Sequence, residues 1–389
     1  MRKILFAVEN YYPNLSGVPI VVKYLAEGLK NKYTVCVATR QVNKLSKYEM
    51  HNGIHIYRFD VKYNYLKRPK GEIKRYLNFL KDENFDIIIL ECAQCVTTDI
   101  LLPHLSEISA VKILHSHGFS GLALKPFKIM GTLKNTIGNT LNYHIWKHYY
   151  DVVFPKYLPN IDKIVCLSNV DNDYKYLTRL GRDVVVISNA AEELFFIHGH
   201  NNTLSGYIPG LTSKYAICVA YYNDVKNQLG ILTEFSRSKA CREMSLVFIG
   251  TEKNNYYKKV EALLDKLKLN KPWLKVYLLT DVKRADIPGA VENATIYLCG
   301  SKREAYSISL IESMAVGTPF IGTNVGNSAT LPGGVIISDI SDMHIAIDEL
   351  ILDNDKLEQM SIAGRDYTIK NCRAQVAVEK LISVIEGAK

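Results

Sequence analysis

Short apolar runs rich in β-branched residues alternate along this chain with segments in which apolar residues recur at helical spacing. The runs that predict buried strands are 3–8, 34–39, 54–59, 86–90, 111–115, 161–168, 184–187, 215–220, 245–250, 275–279, 294–299 and 335–338. Amphipathic helices are predicted at 18–30, 256–268, 353–370 and 373–385. Alternating strands and helices are typical of mainly parallel sheets covered on both faces. The pattern therefore predicts an α/β protein.

The length of 389 residues is enough for two domains of ordinary size, each with its own hydrophobic core. The polar stretch 198–213 contains several Gly and Pro residues and is typical of a linker. We therefore expect a first domain over 1–197, a linker over 198–213 and a second domain over 214–370. A last helical segment, 371–389, follows.

The most informative stretch follows the predicted strand at 294–299 and predicts a short, buried helix. Ser307 or Ser309 can cap its N-terminus, and Gly317 ends it. Apolar residues surround this helix, yet Glu312 lies inside it. Because an unpaired buried charge is very costly, the carboxylate of Glu312 requires a partner.

A second carboxylate, Glu304, lies in the loop just before that helix. The free N–H groups at a helix N-terminus attract phosphate, whereas carboxylates repel it and suit the neutral hydroxyls on either side. A nucleotide-sugar offers both, so Glu312 is expected to bind the ribose diol and Glu304 the hydroxyls of the sugar. The alternative is structural, with one Glu favouring the helix dipole and the other satisfied by Ser or Arg.

The Glu-x7-Glu pattern from Glu304 to Glu312 is followed by Ser-Met-Ala-Val-Gly-Thr-Pro-Phe-Ile. This run resembles the signature of retaining family 4 glycosyltransferases with the GT-B fold. The resemblance implies two Rossmann-like domains with parallel sheets facing a central cleft, the donor in the second domain and the acceptor in the first. It also implies that the segment 371–389 returns to the first domain.

The resemblance assigns roles to particular residues of the second domain. It implies that Glu304 and Lys226 act in catalysis, with Lys226 on the diphosphate, although Lys226 could be a mere surface residue. The family usually has an Arg five positions before that lysine, where this chain has Tyr221. Either Tyr221 gives a neutral hydrogen bond, or a basic residue such as Arg303 compensates. The donor-binding positions implied are Glu312, Tyr221, Gly17, Val282, Ala305, Tyr306, Ser307, Ile308 and Arg303.

In the first domain the resemblance implies a glycine loop and a catalytic histidine. Gly17 lies between the first strand and the first helix, where Ser16-Gly17 keeps one of the two glycines of the family. His117 matches a histidine that lies beside the donor sugar. The alternative is that His115 and His117 are satisfied by turn backbone. Because this pair lacks acidic or cysteine company, zinc is not expected there.

Composition is that of an ordinary globular protein, with 48% hydrophobic and 22% charged residues. The N-terminal apolar run is short and predicts a strand rather than a signal peptide. No apolar run reaches the roughly 18–20 residues that a membrane span requires. Scattered cysteines in strand-like runs suit a reducing compartment. These features predict a cytoplasmic protein.

The net charge of +9 is concentrated in two stretches. Residues 62–81 contain seven Lys or Arg against one Glu, and 119–160 contain five Lys against one Asp, with Trp146 and several tyrosines between them. Both stretches could be solvated faces. They could also dock on the anionic inner face of the plasma membrane, where each cation contributes about 1 kcal/mol. No recognition motif supports binding of nucleic acid.

The resemblance implies a retaining glycosyltransferase acting on a saccharide acceptor, and we expect it to be metal-independent. We expect a lipid-linked acceptor in bacterial surface polysaccharide biosynthesis and a nucleotide-diphosphate sugar as donor, with UDP favoured over GDP. No cofactor and no metal are expected, so Lys226 and the helix N-terminus would have to stabilise the leaving diphosphate. The alternatives are another GT-B enzyme, such as a nucleotide-sugar epimerase, and a non-catalytic GT-B partner of an active transferase.

Overall fold

The computed structural model describes residues 1–13, 17–42, 44–125, 133–201, 203–211 and 214–388. The chain divides into two compact units. The first unit comprises Met1–Asn189 together with Ala374–Lys389, and the second comprises Ala190–Arg373. Residues 190–197 and the described part of the predicted linker therefore lie within the second unit.

The first unit is built on an eight-stranded sheet and a separate two-stranded hairpin. Its strands are β1 (Lys3–Ala7), β2 (Thr34–Arg40), β3 (Tyr48–His51), β4 (Ile54–Phe59), β5 (Val61–Tyr63), β6 (Pro69–Gly71), β7 (Ile87–Glu91), β8 (Val111–His115), β9 (Lys163–Cys166) and β10 (Val185–Val186). The sheet order is β10-β9-β8-β7-β1-β2-β4-β3. Its neighbouring strands are parallel, except that β3 is antiparallel to β4.

Helices pack around this sheet. They are α1 (Val18–Leu29), α2 (Ile73–Asp82), α3 (Val96–Asp99), α4 (Leu133–His148), α5 (Phe154–Tyr157) and α6 (Asn172–Arg179). A π-helical turn at Tyr149–Val153 joins α4 to α5, and 3-10 turns lie at Leu102–Glu107, Ser120–Ala123 and Leu158–Asn160. As its spacing predicts, α1 buries Val21, Leu25 and Leu29.

The second unit contains a six-stranded, wholly parallel sheet. Its strands are β11 (Tyr215–Val219), β12 (Ser245–Ile249), β13 (Val276–Leu279), β14 (Ile296–Cys299), β15 (Phe320–Thr323) and β16 (Gly334–Ile337), in the order β13-β12-β11-β14-β15-β16. Its helices are α7 (Gln228–Arg237), α8 (Asn255–Asn270), α9 (Ile287–Glu292), α10 (Ile308–Ala315), α11 (Met343–Leu350) and α12 (Asn354–Asn371). Its 3-10 turns lie at Glu193–Phe196, Thr203–Gly206, Lys239–Arg242, Arg284–Asp286, Ser328–Thr330 and Ile340–Asp342. The last helix, α13 (Ala374–Glu386), belongs to the first unit.

The two parallel-rich sheets confirm the predicted α/β class, but several elements were missed. Strand β15 covers Phe320–Thr323, a segment that is not among the strands predicted from the sequence. Its position between β14 and β16 makes this segment a strand, because pairing on both sides outweighs a weak local preference. The hairpin β5–β6 begins one residue before the first basic stretch, helix α4 lies within the second, and both were also missed.

Within the described residues, no helix is both long enough and apolar enough to cross a bilayer.

Candidate functional site

The helix predicted inside the signature stretch is present as α10. Ser307 is its N-cap residue, and the chain leaves the helix through Gly317, which has a φ of +86°. Six of its eight residues are buried, among them Glu312. The prediction of a short buried helix that carries a carboxylate is therefore confirmed.

The loop before α10 is held in place by a second loop. Gly326 has a φ of +55°, and a Cβ atom there would lie 2.8 Å from the carbonyl oxygen of Glu304. Only a glycine allows the two backbones to approach so closely. The side chain of Asn327 accepts a hydrogen bond from the backbone N–H of Ser307 at 3.2 Å. The backbone amide of Ser307, one of the predicted donor-binding residues, is thus engaged by Asn327.

Lys226 and Glu304, the two residues predicted to act in catalysis, form an ion pair. The hydroxyl of Ser301 donates to the same carboxylate oxygen of Glu304 at 2.7 Å. Asn223 accepts a hydrogen bond from the backbone N–H of Lys226 at 2.8 Å, which fixes the turn before α7. Burial alone would lower the pKa of Lys226, but Glu304 raises it above its ordinary value. Lys226 is therefore a charged ammonium group beside the signature loop.

Glu312 is paired with an arginine that the sequence analysis did not single out. Arg284 donates to Glu312 and also lies 3.0 Å from a carboxylate oxygen of Glu192. Its guanidinium group stacks over the ring of Phe195, 5.0 Å from the centroid. Burial raises the pKa of Glu312, and Arg284 opposes that shift. The structural alternative to donor binding was a glutamate paired with an arginine, and Glu312 has such a partner. The spacing of residues in the sequence does not show which arginine reaches it.

The remaining donor positions of the second unit are spread around α10. Ala305 and Ile308 flank its N-cap with partly exposed side chains, whereas Tyr306 is buried. Val282 lies in the loop after β13, just before Arg284. Arg303 is exposed to solvent.

Tyr221, which replaces the usual arginine, is 44% exposed, and its hydroxyl donates to Glu252 at 2.5 Å. The hydroxyl of Tyr221 is thus engaged by a carboxylate of its own unit.

In the first unit, Glu91 lies beside the two histidines. Strands β7 and β8 are parallel neighbours, and their register places Glu91 directly opposite His115. The Nε2 atom of His117 lies 2.5 Å from Oε2 of Glu91, and Nδ1 of His115 lies 3.2 Å from the same oxygen. The premise that the histidines lack acidic company was therefore wrong, because the acid comes from the adjacent strand. The ligand atoms of the three side chains lie within 4.8 Å of one another, a spacing that a metal ion could bridge.

The turn that carries His117 has an unusual backbone conformation and is held in place by hydrogen bonds to Asp173. His117 and Gly118 have φ values of +51° and +88°. The carboxylate of Asp173 accepts hydrogen bonds from the hydroxyl of Ser116 and, at 3.2 Å, from the backbone N–H of Gly118. Asp173 is therefore a second residue of this site that the sequence analysis missed.

Electrostatics define the protonation of this cluster. Burial would raise the pKa of Glu91, but the imidazoles of His115 and His117 lower it to about 2. Burial lowers the pKa of His117. We therefore describe an ionised Glu91 that accepts the Nε2–H of a neutral His117, which leaves Nδ1 of His117 as the acceptor nitrogen.

Gly17 is the N-cap residue of α1 and has a φ of +66°. Among the residues that the structure describes, a Cβ atom at this position would meet no heavy atom within 4 Å. Ser16, the other half of the predicted glycine-loop pair, lies outside the described residues.

The fold is that of the GT-B glycosyltransferases. Sucrose-phosphate synthase from Thermosynechococcus elongatus superimposes with a TM-score of 0.77 at 13% identity, covering 100% of this chain and 99% of that chain. Anabaena HepE, in complex with UDP, gives a TM-score of 0.70 at 12% identity, covering 99% of this chain and 100% of that chain. At such low identities these likenesses define the fold.

Residues 209–367 match the family model "Glycosyl transferases group 1", which covers less than half of the chain. Sucrose synthase 6 from Arabidopsis thaliana is 25% identical over 217 residues, 50% of this chain and 21% of that protein. The chain thus spans about a fifth of the length of the curated relatives it matches. Together, the family match and the fold support a GT-B glycosyltransferase.

Proposed function

We propose that this chain is a retaining glycosyltransferase that transfers a sugar from a nucleotide-diphosphate sugar to a saccharide acceptor. The observation that carries the proposal is the pair of ionic contacts at α10, Lys226 with Glu304 and Arg284 with Glu312. All four residues lie in the segment that matches the glycosyltransferase family model. The structures of HepE with UDP and with UDP-glucose support UDP as the nucleotide.

The contacts suggest how the donor would be bound. Lys226 is 27% exposed at its side chain, so its ammonium group can turn from Glu304 to the diphosphate. That exchange frees the carboxylate of Glu304 to accept from hydroxyls of the donor sugar. One charge-assisted hydrogen bond replaces another, so the exchange costs little. Glu312 would accept from the ribose hydroxyls, held in place by Arg284.

The reaction that fits these groups is a front-face displacement. The bond from the anomeric carbon to the leaving phosphate oxygen breaks while the acceptor oxygen bonds to the same face of that carbon. The acceptor proton passes to the departing phosphate, and Lys226 stabilises the charge that develops there. No metal and no cofactor takes part in this scheme.

His117 would contribute from the first unit. With its Nε2–H donated to Glu91, its Nδ1 can accept a hydrogen bond from a hydroxyl of the donor sugar. Glu91 is then a positioning residue, because it fixes the tautomer and the ring of His117 without touching the substrate.

We further propose that the acceptor is lipid-linked and that the enzyme works at the inner face of a bacterial plasma membrane, in surface polysaccharide biosynthesis. The basic stretches 62–81 and 119–160 support this placement. Exposed cations near an anionic bilayer are attracted to it.

The test is donor turnover by the purified full chain. Incubation with UDP-sugars and saccharide acceptors is expected to release UDP and to form an α-glycosidic bond from an α-linked donor, with and without excess EDTA. Glu304→Gln is expected to bind UDP but not to turn over the sugar donor. Loss of activity with EDTA that magnesium restores would refute the metal-free scheme. Turnover only in the presence of a second protein would favour the non-catalytic partner, an alternative supported by the absence of the family's arginine at Tyr221.

A further inference from the structure

A pocket lies in the first unit, whereas the glutamates at α10 belong to the second unit. It is a cavity of about 580 Å³ between the β5–β6 hairpin and the segment from α4 to α5. Its inner walls include Leu102 and Trp146, both buried, together with the partly buried Val153. The lining is mainly hydrocarbon and aromatic, and the volume is within the range of ordinary ligand sites.

The outer part of this pocket is cationic. Lys67 and Arg68 reach it from the turn of the hairpin, and His144 and His148 reach it from α4. Arg68 and both histidines are exposed, so these groups lie on the solvent side of the buried walls. A ligand that fits must therefore combine an apolar body with an anionic head.

The acidic side chain in the lining does not reverse this charge. Both carboxylate oxygens of Asp99 accept hydrogen bonds, from the hydroxyl of Tyr63 at 2.5 Å and from that of Tyr149 at 2.7 Å. Asp99 is thus engaged by the two tyrosines, while Lys67 and Arg68 line the outer part of the pocket.

Apolar side chains exposed around the pocket indicate where such a ligand comes from. On α4, Ile137 and Leu141 are 59% and 50% exposed, and the spacing 137, 141, 144, 148 places them on the same helix face as His144 and His148. Tyr65, at the tip of the hairpin, is 82% exposed. An exposed apolar stripe that leads into a cationic pocket is typical of a surface that meets lipid.

The pocket is also connected to the loop that carries His117. Tyr149 contacts the backbone N–H of Gln94 at 3.5 Å, and the side chain of Gln94 accepts a hydrogen bond from the backbone N–H of Gly121 at 2.9 Å. Gly121 follows His117 closely in sequence. Hydrogen bonds through Gln94 therefore link the wall of the pocket to the segment that follows His117.

We propose that this pocket binds the phosphate-bearing hydrocarbon chain of the lipid that carries the acceptor saccharide. The phosphate contacts Lys67 and Arg68, and the chain lies against Trp146 and Leu102. This inference rests on the proposed function for the identity of the lipid, since an acceptor carrier has no role outside a transferase.

The experiment uses the two tryptophans of the chain. Trp146 lines the pocket, and Trp273 lies in the second unit, so the full-length variant Trp273→Phe reports on the pocket alone. Farnesyl phosphate is expected to change the fluorescence of Trp146 in a saturable manner. Farnesol and inorganic phosphate are each expected to bind at least tenfold more weakly, because each supplies only half of the interaction.

Two matched double variants test whether the cations at the outer part of the pocket bind the phosphate. Lys67→Ala combined with Arg68→Ala is expected to weaken farnesyl phosphate binding about thirtyfold, from about 1 kcal/mol per cation. Lys62→Ala combined with Lys70→Ala removes the same charge from the same hairpin, at exposed positions that face each other across the strands and do not line the pocket. This control is expected to change binding less than threefold. Equal losses in both variants would overturn the pocket and leave a general charge effect.

Two further outcomes would overturn the inference. In the first, vesicles that contain phosphatidylglycerol change the fluorescence of Trp146, and farnesyl phosphate does not reverse that change. This result would show that a bilayer phospholipid is the occupant. A response to free saccharides but not to farnesyl phosphate would make the pocket a sugar site. Turnover of the UDP-sugar donor, measured on the same protein, separates the two proposals. Retained donor turnover with no lipid response refutes only the pocket. Lipid binding without any donor turnover refutes the transferase and, with it, the assignment of the lipid as an acceptor carrier.

Discussion

At the scale of single residues, Glu304 forms an ion pair with Lys226, and Glu312 forms one with Arg284. Only the first of these two cations could be recognised from the sequence. Lys226 lies in a recognisable segment before α7, whereas Arg284 lies in a 3-10 turn that carries no motif. Glu312 is buried inside α10, so its protonation depends on Arg284. The pH dependence of donor binding should therefore report on this pair.

Arg284→Ala is expected to make UDP binding more sensitive to acid. Burial already raises the pKa of Glu312, and removing the group that opposes this shift raises the pKa further. As the pH falls, Glu312 in the variant is protonated earlier and loses its hold on the ribose. Because this native-state pKa is raised, the free energy of unfolding should change in the opposite direction and grow as the pH falls through it.

The measurement is the dissociation constant of UDP from neutral to acid pH, by calorimetry. Glu312→Gln should lose about tenfold or more in affinity at neutral pH, since hydrogen bonds to a charged group contribute about 1.5–3 kcal/mol each. Arg237→Ala, which breaks another ion pair of the second unit, is the matched control. Identical pH profiles for the parent chain and Arg284→Ala would contradict the ribose assignment.

Lys226 and Tyr221 are expected to differ strongly in their effect on turnover. Lys226→Ala removes the charge proposed to stabilise the leaving diphosphate, and kcat should fall by an amount equivalent to about 2.7–4 kcal/mol. Tyr221→Phe deletes a neutral hydroxyl that is bonded to Glu252, so its cost of about 0.5–1.5 kcal/mol should appear in stability rather than in kcat. Steady-state kinetics and chemical denaturation separate the two effects. Parent-like turnover by Lys226→Ala would place the phosphate site elsewhere.

At the scale of elements, parallel neighbours bring Glu91 to the histidines. Strands β7 and β8 end at the same edge of the sheet, which places an acid from one strand against imidazoles that follow the other. The turn at His117 has positive φ values and is pinned by Asp173 from α6. Three elements therefore position one imidazole.

Glu91→Gln is expected to lower kcat while leaving the affinity for UDP unchanged. Loss of a carboxylate that sets an imidazole tautomer costs up to about 10⁴ in a serine-protease triad, so a fall of roughly 10²-fold or more is reasonable. Nitrogen NMR of the imidazole should show that the variant loses the single Nε2–H tautomer of His117. Glu91→Asp, which keeps the charge, should recover part of the activity. A normal tautomer together with low activity would indicate a merely structural role for Glu91.

At the scale of the whole molecule, the first unit is formed by two segments that are separated in sequence by the second unit. Helix α13 follows the second unit in sequence but belongs with residues 1–189. It packs on α1, where a Cβ atom at Gly28 would overlap the side chain of Val378. Leu381 is 1% exposed on the same helix. The stability of the first unit therefore depends on the last residues of the chain.

Leu381→Ala is expected to lower the free energy of unfolding of the first unit by about 2–5 kcal/mol, the usual cost of a large-to-small change in a core. UDP binds residues of the second unit in our proposal, so its affinity should not change. Denaturant unfolding with and without UDP measures both quantities, and Ser383→Ala on the exposed side of α13 is the control. If Leu381→Ala also weakened UDP binding by a comparable free energy, donor binding would depend on the stability of the first unit.

The sequence by itself determined the α/β class, most strands of both sheets and the buried helix with Glu312. These features depend on local periodicity and on capping residues, which lie within a few positions of one another. Strand β15 and the β5–β6 hairpin were missed because pairing partners decide such short segments.

Only the tertiary structure decided which residues meet around the candidate sites. Arg284 reaches Glu312, Glu91 reaches His117, and Asp173 reaches Gly118. Each pair is separated by more than twenty residues, so no local pattern encodes it. Parallel sheets align the ends of distant strands, and it is this alignment that sets the chemistry of both units.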